Sequence, residues 1–324
     1  MIFIALLEIK NLKTYYNTKE GIVKATDDVS FNLEEGQILG LVGESGCGKT
    51  TTSLSIMQLL PNAGSIEGGK IIFDGEDLVE MSTKKLLKIR GNEISMVFQG
   101  AMNALNPVHK IGDQIKEVIS IHEPKVEEEE SWDRVVAILE KVGIPESRAK
   151  DYPHQLSGGM KQRALIAMAL VCNPRIIVTD EPVTALDVIV QAQVLSALKK
   201  MQKDFNLSMI IVTHDLSVVA KICDTIAVMY AGKICEVGTV KEVFTNPKHP
   251  YTEALLGSFP SITGPKKDLI EIKGYPPNLI YPPSGCRFHP RCHKRVEACD
   301  KRIPLNTPTS DGYVACLLYE DGEK

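Results

Sequence analysis

A glycine-rich segment, GESGCGKTT at residues 43–51, has the residue types and spacing of a phosphate-binding loop. Its three glycines let the backbone approach an anion, because no Cβ intrudes, and the loop N–H groups and the following helix start then point at the phosphate. Lys49 supplies a positive charge to the β- and γ-phosphates, and the Thr50 hydroxyl binds Mg²⁺. The predicted nucleotide contacts are Gly43, Glu44, Ser45, Gly46, Cys47, Gly48, Lys49, Thr50 and Thr51.

Two acidic residues end an apolar segment, RIIVTDEP at residues 175–182. Asp180 is placed to hold Mg²⁺, usually through water, and Glu181 follows it directly. A carboxylate in that position can act as the general base that polarises an attacking water. The phosphate loop and the acid pair together predict hydrolysis of a nucleoside triphosphate.

A second glycine-rich segment, LSGGMKQR at residues 156–163, also has the composition of an anion-binding loop. A serine and two adjacent glycines precede two cationic side chains, and the segment opens a predicted helix, whose N–H groups favour an anion. The chain therefore carries two candidate phosphate sites that lie far apart in sequence.

Three further motifs occur in order with these segments. Gln99 ends the segment SMVFQ, TALD occupies residues 184–187, and His214 lies in IVTHD. Over about residues 6–240, the ordered set resembles the motifs of ATP-binding-cassette ATPases. The resemblance implies that two such domains pair head to tail, so that the second glycine-rich segment, the signature loop, contacts the ATP held by the partner's phosphate loop.

The resemblance also implies roles for individual residues. Gln99 contacts Mg²⁺ and the attacking water, and it begins the segment that reports the nucleotide state to a membrane partner. His214 holds the γ-phosphate and orients Glu181, whereas Asp187 lies in the loop that crosses the dimer interface. The implied magnesium ligands are Thr50, Gln99 and Asp180. The implied signature-loop contacts with the partner's nucleotide are Ser157, Gly158, Gly159 and Gln162.

A tyrosine near the start of the chain is implied to stack on the adenine ring. Tyr16 fits the spacing after Leu12 best, Tyr15 is the alternative, and packing of these rings in the core is the competing interpretation. Gly100 stands where relatives often carry an acid, which leaves the detail of the segment after Gln99 open.

The composition changes after about residue 243, where proline becomes frequent and periodicity fades. The segments at 246–256 and 274–292 resemble the C-terminal extension of dipeptide and oligopeptide importer ATPase subunits, and nickel-importing relatives share much of it. We therefore predict two domains, a nucleotide-binding domain at residues 1–245 and an extension at residues 246–324.

Four cysteines lie in this extension with the spacing C-x5-C-x6-C-x16-C. Four thiolates can hold a tetrahedral zinc ion or a [4Fe–4S] cluster. The wide gaps favour the cluster, because structural zinc prefers closely spaced pairs, and some members of the resembled family carry one. Zinc with His289 or His293 as a substitute ligand, disulfides and free thiols are the alternatives. The predicted cluster ligands are Cys286, Cys292, Cys299 and Cys316.

Strand-like and helix-like segments alternate through the middle of the chain, which favours a largely parallel sheet in an α/β core. Alternating residues before Leu41, and a hairpin at 68–79 with its turn at DG, predict an antiparallel flank. Helical spacing from about Ile111 to Val142 predicts a helical subdomain. The resemblance specifies an ABC-type P-loop ATPase with a small, irregular, metal-binding extension. Further helices are predicted over residues 49–60, 158–172 and 189–204.

The composition, 44% hydrophobic and 24% charged over 324 residues, fits a soluble globular protein. A net charge of −4 gives no electrostatic attraction to nucleic acid. The first seven residues, MIFIALL, are too few to span a membrane and predict an early first strand. The chain has no run of about 20 apolar residues, so we do not expect it to cross a membrane itself. The resemblance implies a peripheral protein on the cytoplasmic face of the cell membrane.

The sequence therefore predicts the ATPase subunit of a dipeptide or oligopeptide importer. The expected partners are a second ATPase subunit, two membrane permeases and an external solute-binding protein, without nucleic acid. A heterodimer of ATPase chains is expected and a homodimer is the alternative. An importer of nickel or another small solute is the competing function. A non-transport ABC ATPase is disfavoured, because the chain has one cassette, no sustained heptads and no basic run.

Overall fold

The computed structural model describes residues 5–100, 104–184, 186–258 and 272–320. The described residues form two compact units. The first unit takes its residues from 1–33, 39–79 and 213–324, and the second from 34–38 and 80–212. The predicted early start of the first strand falls partly on residues 1–4, which lie outside the described residues.

The secondary structure follows the predicted alternation of strands and helices. The described strands are β1 Leu7–Thr18, β2 Gly21–Leu33, β3 Ile38–Val42, β4 Gly64–Phe73, β5 Glu76–Asp77, β6 Ile94–Val97, β7 Ile176–Asp180, β8 Ser208–Thr213, β9 Thr225–Tyr230, β10 Lys233–Thr239, β11 Thr307–Pro308 and β12 Tyr313–Val314. The described α-helices are α1 Lys49–Ile56, α2 Thr83–Ile89, α3 Ile111–His122, α4 Glu128–Lys141, α5 Gly158–Leu170, α6 Val188–Phe205, α7 Leu216–Ile222, α8 Val240–Thr245 and α9 Pro250–Gly257.

The first unit contains an antiparallel sheet with the strand order β2-β1-β4-β5. The predicted hairpin between β4 and β5 is confirmed, and its turn residues Asp74 and Gly75 both have positive φ, at 49° and 83°. Two positive φ values match the right-handed twist of the paired strands and explain the Asp-Gly sequence. The antiparallel flank predicted from the sequence is therefore present.

A second set of strands in the first unit places the start of the phosphate loop. Strand β3 pairs in parallel with β9, and β10 pairs antiparallel with β9. All five residues of β3 are buried, as expected of a strand covered on both faces. Because β3 ends at Val42, the glycine-rich segment begins at the carboxyl end of a buried parallel strand.

The second unit is built from helices around three parallel strands. Strand β7 pairs in parallel with both β6 and β8, and every residue of β7 and β8 is buried. The predicted helical stretch from Ile111 to Val142 is divided into α3 and α4. Pro124 follows α3 and cannot continue it, since proline lacks the N–H that a helix interior needs. The α/β class is confirmed.

The extension contributes ordered structure to the first unit. Strand β12 pairs with β10 and β11 pairs with β12, although this stretch was predicted to be irregular. Phe288, Tyr251 and Tyr230 pack together in a buried aromatic cluster, with the Phe288 ring centroid 5.1 Å from that of Tyr230 and 5.3 Å from that of Tyr251. In the part of the chain that the structure describes, no helix is long and apolar enough to cross a membrane.

Candidate nucleotide-binding site

The phosphate loop joins β3 to α1 and has the backbone that its glycines permit. Gly43, Gly46 and Gly48 have φ values of 152°, 77° and 111°. A Cβ on Gly43 would lie 2.0 Å from the Met229 carbonyl oxygen, and one on Gly48 would lie 2.2 Å from the Ala25 carbonyl oxygen. A Cβ on Gly46 would meet nothing within 4 Å. Two glycines are thus required by neighbouring backbone, whereas the third leaves an open, exposed backbone surface.

Lys49 lies at the first position of α1 and is buried over its own loop. Its Nζ donates hydrogen bonds to the carbonyl oxygens of Gly43 at 2.8 Å and Glu44 at 3.0 Å. Only 7% of the residue is exposed. The ammonium is therefore held at the start of α1, where the helix N–H groups also favour an anion, while the neighbouring Thr50 is exposed.

The acid pair ends β7 in the second unit, as predicted. Asp180 is 2% exposed and is the last residue of the strand. Glu181 has a φ of 51°, in the left-handed region that non-glycine residues rarely adopt, and its N–H donates to the Val212 carbonyl oxygen at 2.8 Å. Such strained backbone is typical of functional sites, where the surrounding structure imposes it.

Two side chains hold the Glu181 carboxylate. Gln99 Nε2 donates to Glu181 Oε2 at 2.8 Å, and Thr184 Oγ1 donates to the same oxygen at 3.0 Å. The structure thus brings the predicted glutamine and the predicted base together. Thr184 received no role from the sequence, although its position three residues after Glu181, inside a turn, was the available signal.

In the second unit, the signature loop contains the start of α5, and the TALD segment ends at the start of α6. Ser157 caps α5, since its Oγ accepts from the Met160 N–H at 3.3 Å, and Asp187 caps α6 by accepting from the Val190 N–H at 2.9 Å. A Cβ on Gly159 would lie 2.3 Å from Val190 Cγ1, so this glycine permits close packing of the two helix starts. Ser157 is exposed, Gly158 is half-buried and Gln162 is buried. Ala185 of the TALD segment lies outside the described residues.

Comparison with known proteins gives two family matches. The ABC transporter family matches residues 26–184, and the oligopeptide/dipeptide transporter C-terminal region matches residues 235–299. The chain is 47% identical over 319 residues to the dipeptide transport ATP-binding protein DppD of Bacillus subtilis, with 97% of this chain and 95% of DppD covered. It is 44% identical to the oligopeptide transport ATP-binding protein OppD of Haemophilus influenzae, with 93% and 94% covered. This chain belongs to the ATP-binding subunits of ABC transporters.

The fold agrees with this family. The dimeric structure of a post-hydrolysis state of the ATP-binding cassette MJ0796, bound to ADP and Pi, matches with a TM-score of 0.65 and 28% identity. The match covers 72% of this chain and 98% of that one. The ABC-type P-loop fold predicted from the sequence is therefore confirmed for this ABC ATPase.

The two candidate adenine-stacking tyrosines have different surroundings in this ABC ATPase. Tyr16 Oη lies 3.3 Å from Thr51 Oγ1, on the helix that follows the phosphate loop. Tyr15 Oη instead donates to Asp27 at 2.8 Å, and burial together with this hydrogen bond raises the pKa of Tyr15 to about 12. The contact with α1 is consistent with Tyr16 as the stacking residue, which stays a prediction.

His214 directly follows β8 and is exposed. The end of a buried parallel strand is where the carboxyl-edge site of an α/β sheet is expected. Its predicted roles towards the γ-phosphate and Glu181 stay predictions.

The metal site predicted at the four cysteines of the extension stays a prediction. Among the residues that the structure describes, no group of three or more His, Cys, Asp or Glu side chains is arranged to hold a metal ion. The Cys299 sulfur accepts the Val296 N–H at 3.4 Å, which directs it into its own turn. The four residues are thiols rather than disulfides. Burial, with smaller contributions from neighbouring thiols, raises the pKa of Cys286 and of Cys316 to about 11, which favours neutral thiols.

The two histidines that could have replaced a cysteine are engaged elsewhere. His289 Nδ1 lies 2.9 Å from the Cys286 carbonyl oxygen, and His293 Nε2 lies 3.6 Å from a Glu253 carboxylate oxygen. These contacts favour the interpretation of both as ordinary polar residues.

Gly48→Ala is expected to destabilise the protein more than Gly46→Ala. Both substitutions place a Cβ on a residue with positive φ, which costs roughly 1–2 kcal/mol. Only Gly48→Ala adds a clash with the Ala25 carbonyl oxygen. Urea unfolding of the two variants without nucleotide measures the difference, and equal midpoints would show that the close approach at Gly48 does not constrain the loop.

Proposed function

We propose that this chain is the ATPase subunit of a peptide importer. The observation that carries the proposal is the alignment of nearly the whole chain, including its extension, with relatives named for dipeptide and oligopeptide transport. As an ABC ATPase, the chain hydrolyses ATP. The transported solute is the part that remains a proposal, since it rests on the names of relatives.

The loop residues bind the triphosphate in this proposal. The backbone around Gly46 and the start of α1 receive phosphate oxygens, and Lys49 exchanges its loop carbonyl partners for the β- and γ-phosphates. Thr50 and Asp180 supply a hydroxyl and a carboxylate, which are oxygen donors suited to Mg²⁺, and Gln99 completes the proposed set. Bound Mg²⁺ would neutralise charge that develops on the phosphates.

Glu181 is the proposed general base. Gln99 and Thr184 both donate to one of its carboxylate oxygens, so these two side chains orient the base. The carboxylate takes the proton of a water whose oxygen attacks the γ-phosphorus, while the bond from that phosphorus to the β–γ bridging oxygen breaks and ADP leaves with the electron pair. His214 orients this water and the γ-phosphate.

We propose that the active unit is a dimer of ATPase chains, with a second, different ATPase subunit as the partner. The match to a dimeric ATP-binding cassette supports pairing. Ser157, with its glycines at the start of α5, contacts the partner's nucleotide, while Asp187 lines the interface. The pair would sit on two permeases at the cytoplasmic face of the membrane, and an external solute-binding protein would deliver the peptide. In this proposal residues 1–245 are the nucleotide-binding domain and residues 246–324 the extension.

The proposal is tested by measuring peptide uptake in host cells from which this chain has been removed. Cells without it should lose most uptake of labelled dipeptides and tripeptides, and the wild-type chain should restore uptake while Glu181→Gln should not. Uptake of radiolabelled nickel in the same cells is the control for the competing function. Loss of nickel uptake with normal peptide uptake would overturn the peptide assignment but leave the ATPase chemistry intact.

We also propose that the four cysteines of the extension take up a [4Fe–4S] cluster, with zinc as the alternative. The donor set supports this, because four cysteines lie in one segment of the chain and a [4Fe–4S] cluster is held by four cysteine thiolates. Cluster binding requires the thiols to lose their protons.

Protein purified without oxygen is expected to be brown and to contain about four irons per chain. Cys316→Ser should lower the iron content, whereas Cys172→Ser, at a buried cysteine outside the extension, should not. A colourless protein with one zinc per chain would decide for zinc. A metal-free protein with full ATPase activity would overturn both.

A further inference from the structure

One arginine of the extension contacts the phosphate loop through its guanidinium group. Arg291 forms a bidentate pair with Glu44, in which Nη1 donates to Oε2 at 2.7 Å and Nη2 donates to Oε1 at 3.1 Å. The Arg291 side chain is 7% exposed and that of Glu44 is 22% exposed. Bidentate, charge-assisted pairs of this kind are shorter and stronger than ordinary hydrogen bonds, and they fix orientation as well as distance.

All five N–H donors of the Arg291 guanidinium have partners. Besides Glu44, they reach three other acceptors: the Lys273 carbonyl oxygen at 3.0 Å, the Ile272 carbonyl oxygen at 3.1 Å and the Tyr230 hydroxyl at 3.2 Å. An arginine presents these donors in a rigid planar fork, whereas a lysine offers a single point charge. The site is therefore specific for arginine.

The backbone of Glu44 is held by the same extension. Its N–H donates to the Tyr251 hydroxyl at 3.0 Å, and Tyr251, a residue of α9, is completely buried. The Glu44 carbonyl oxygen in turn accepts from Lys49 Nζ at 3.0 Å. A continuous series of contacts thus runs from Arg291 through Glu44 to the lysine of the phosphate loop.

We propose that Arg291 is a positioning residue that sets nucleotide affinity by holding Glu44, and with it the phosphate loop, in the binding conformation. The proposal rests on nucleotide binding at this loop. When only part of the population has a competent loop, the apparent dissociation constant rises in inverse proportion to that part. Loss of Arg291 removes both guanidinium hydrogen bonds from the half-buried Glu44 carboxylate. The phosphate loop is then less constrained and populates other conformations.

Binding of Mg·ADP to the full-length protein, measured by calorimetry, tests the proposal. Arg291→Ala and Arg291→Lys should both weaken binding by about tenfold, because neither side chain reproduces the fork. In steady-state assays the KM for ATP should rise by a similar factor while kcat changes less than about twofold. The matched control is Arg295→Ala, which removes an exposed ion pair with Asp300 in the same extension and should change neither constant.

A double-mutant cycle separates positioning from a merely structural role. If Arg291 acts through Glu44, Arg291→Ala should have no further effect on Mg·ADP binding in a Glu44→Ala background. Equal losses in both backgrounds would overturn the proposal, as would wild-type affinity in Arg291→Lys. If Arg291→Ala does not fold, Glu44→Gln tests the same proposal, because glutamine keeps the shape of the Glu44 side chain and removes its charge. Unchanged affinity of Glu44→Gln for Mg·ADP would also refute the positioning role of Arg291. Failure of the wild-type protein to bind Mg·ADP would instead count against the proposed function.

Discussion

Glu181→Gln should bind Mg·ATP with near-normal affinity and hydrolyse it about a hundredfold or more slowly than the wild type, because an amide cannot take the proton of the attacking water. The change is close to isosteric, and the amide oxygen can still accept from Gln99 and Thr184 as the carboxylate oxygen does now. Single-turnover phosphate release measures the chemical step, and sedimentation with ATP should show an accumulated ATP-bound dimer.

Two variants calibrate this result. Glu297→Gln changes a glutamate whose side chain is 92% exposed in the extension and should leave the rate unaltered. Thr184→Val removes one of the two donors to Glu181 and should slow hydrolysis by a smaller factor, about three- to tenfold, because the base remains but is less well oriented. Hydrolysis by Glu181→Gln at the wild-type rate would show that another group activates the water.

Phe288→Ala is expected to lower the free energy of unfolding by about 3–5 kcal/mol, the usual cost of removing a buried phenylalanine side chain. Phe288 is 2% exposed, and its ring lies edge-on to Tyr230 and tilted against Tyr251. Because Tyr230 ends β9, the substitution should destabilise the first unit as a whole and not only the extension. Urea titration followed by circular dichroism measures the shift of the main transition.

Tyr275→Ala is the matched control, since this aromatic residue of the extension is 92% exposed. Its effect should stay within about 0.5 kcal/mol, as for most surface substitutions. If Phe288→Ala instead produced a separate early transition and left the main one unchanged, the extension would be an independent module and its aromatic packing would not support the rest of the first unit.

Much of the fold follows from local patterns in the sequence. The Asp74-Gly75 turn, the buried strand before the phosphate loop and the long helices were each set by residues that are neighbours in the chain. We predicted that α1 ends at residue 60, but it ends at Ile56. Gln58 has a positive φ of 48°, and a glutamine in the sequence does not indicate such a backbone. The break at Pro124 was available from the sequence, but the apolar periodicity on both sides obscured it.

Some residues of the candidate site could likewise be predicted from local sequence, whereas others could not. Lys49, Asp180 and Ser157 belong to short motifs, so the sequence located them without knowledge of the fold. The strained backbone of Glu181 and its contact with Thr184 depend on how a turn closes, and the pairing of Arg291 with Glu44 depends on chain segments that meet only in three dimensions. The cluster assignment of the four cysteines stays a prediction for a related reason, since spacing reveals the number of possible ligands and not the positions of their sulfurs.

The pairing of β12 with β10 has a consequence for biosynthesis. Glu236 and Val237 of β10 pair with Val314 and Tyr313, and the Tyr313 hydroxyl also donates to the Ser30 carbonyl oxygen at 2.6 Å. During synthesis, the edge of β10 that pairs with β12 is therefore exposed from the time β10 leaves the ribosome until β12 emerges. Exposed edges of this kind recruit other strands, so ribosome stalling or premature termination within that interval should yield aggregates rather than a shorter working ATPase.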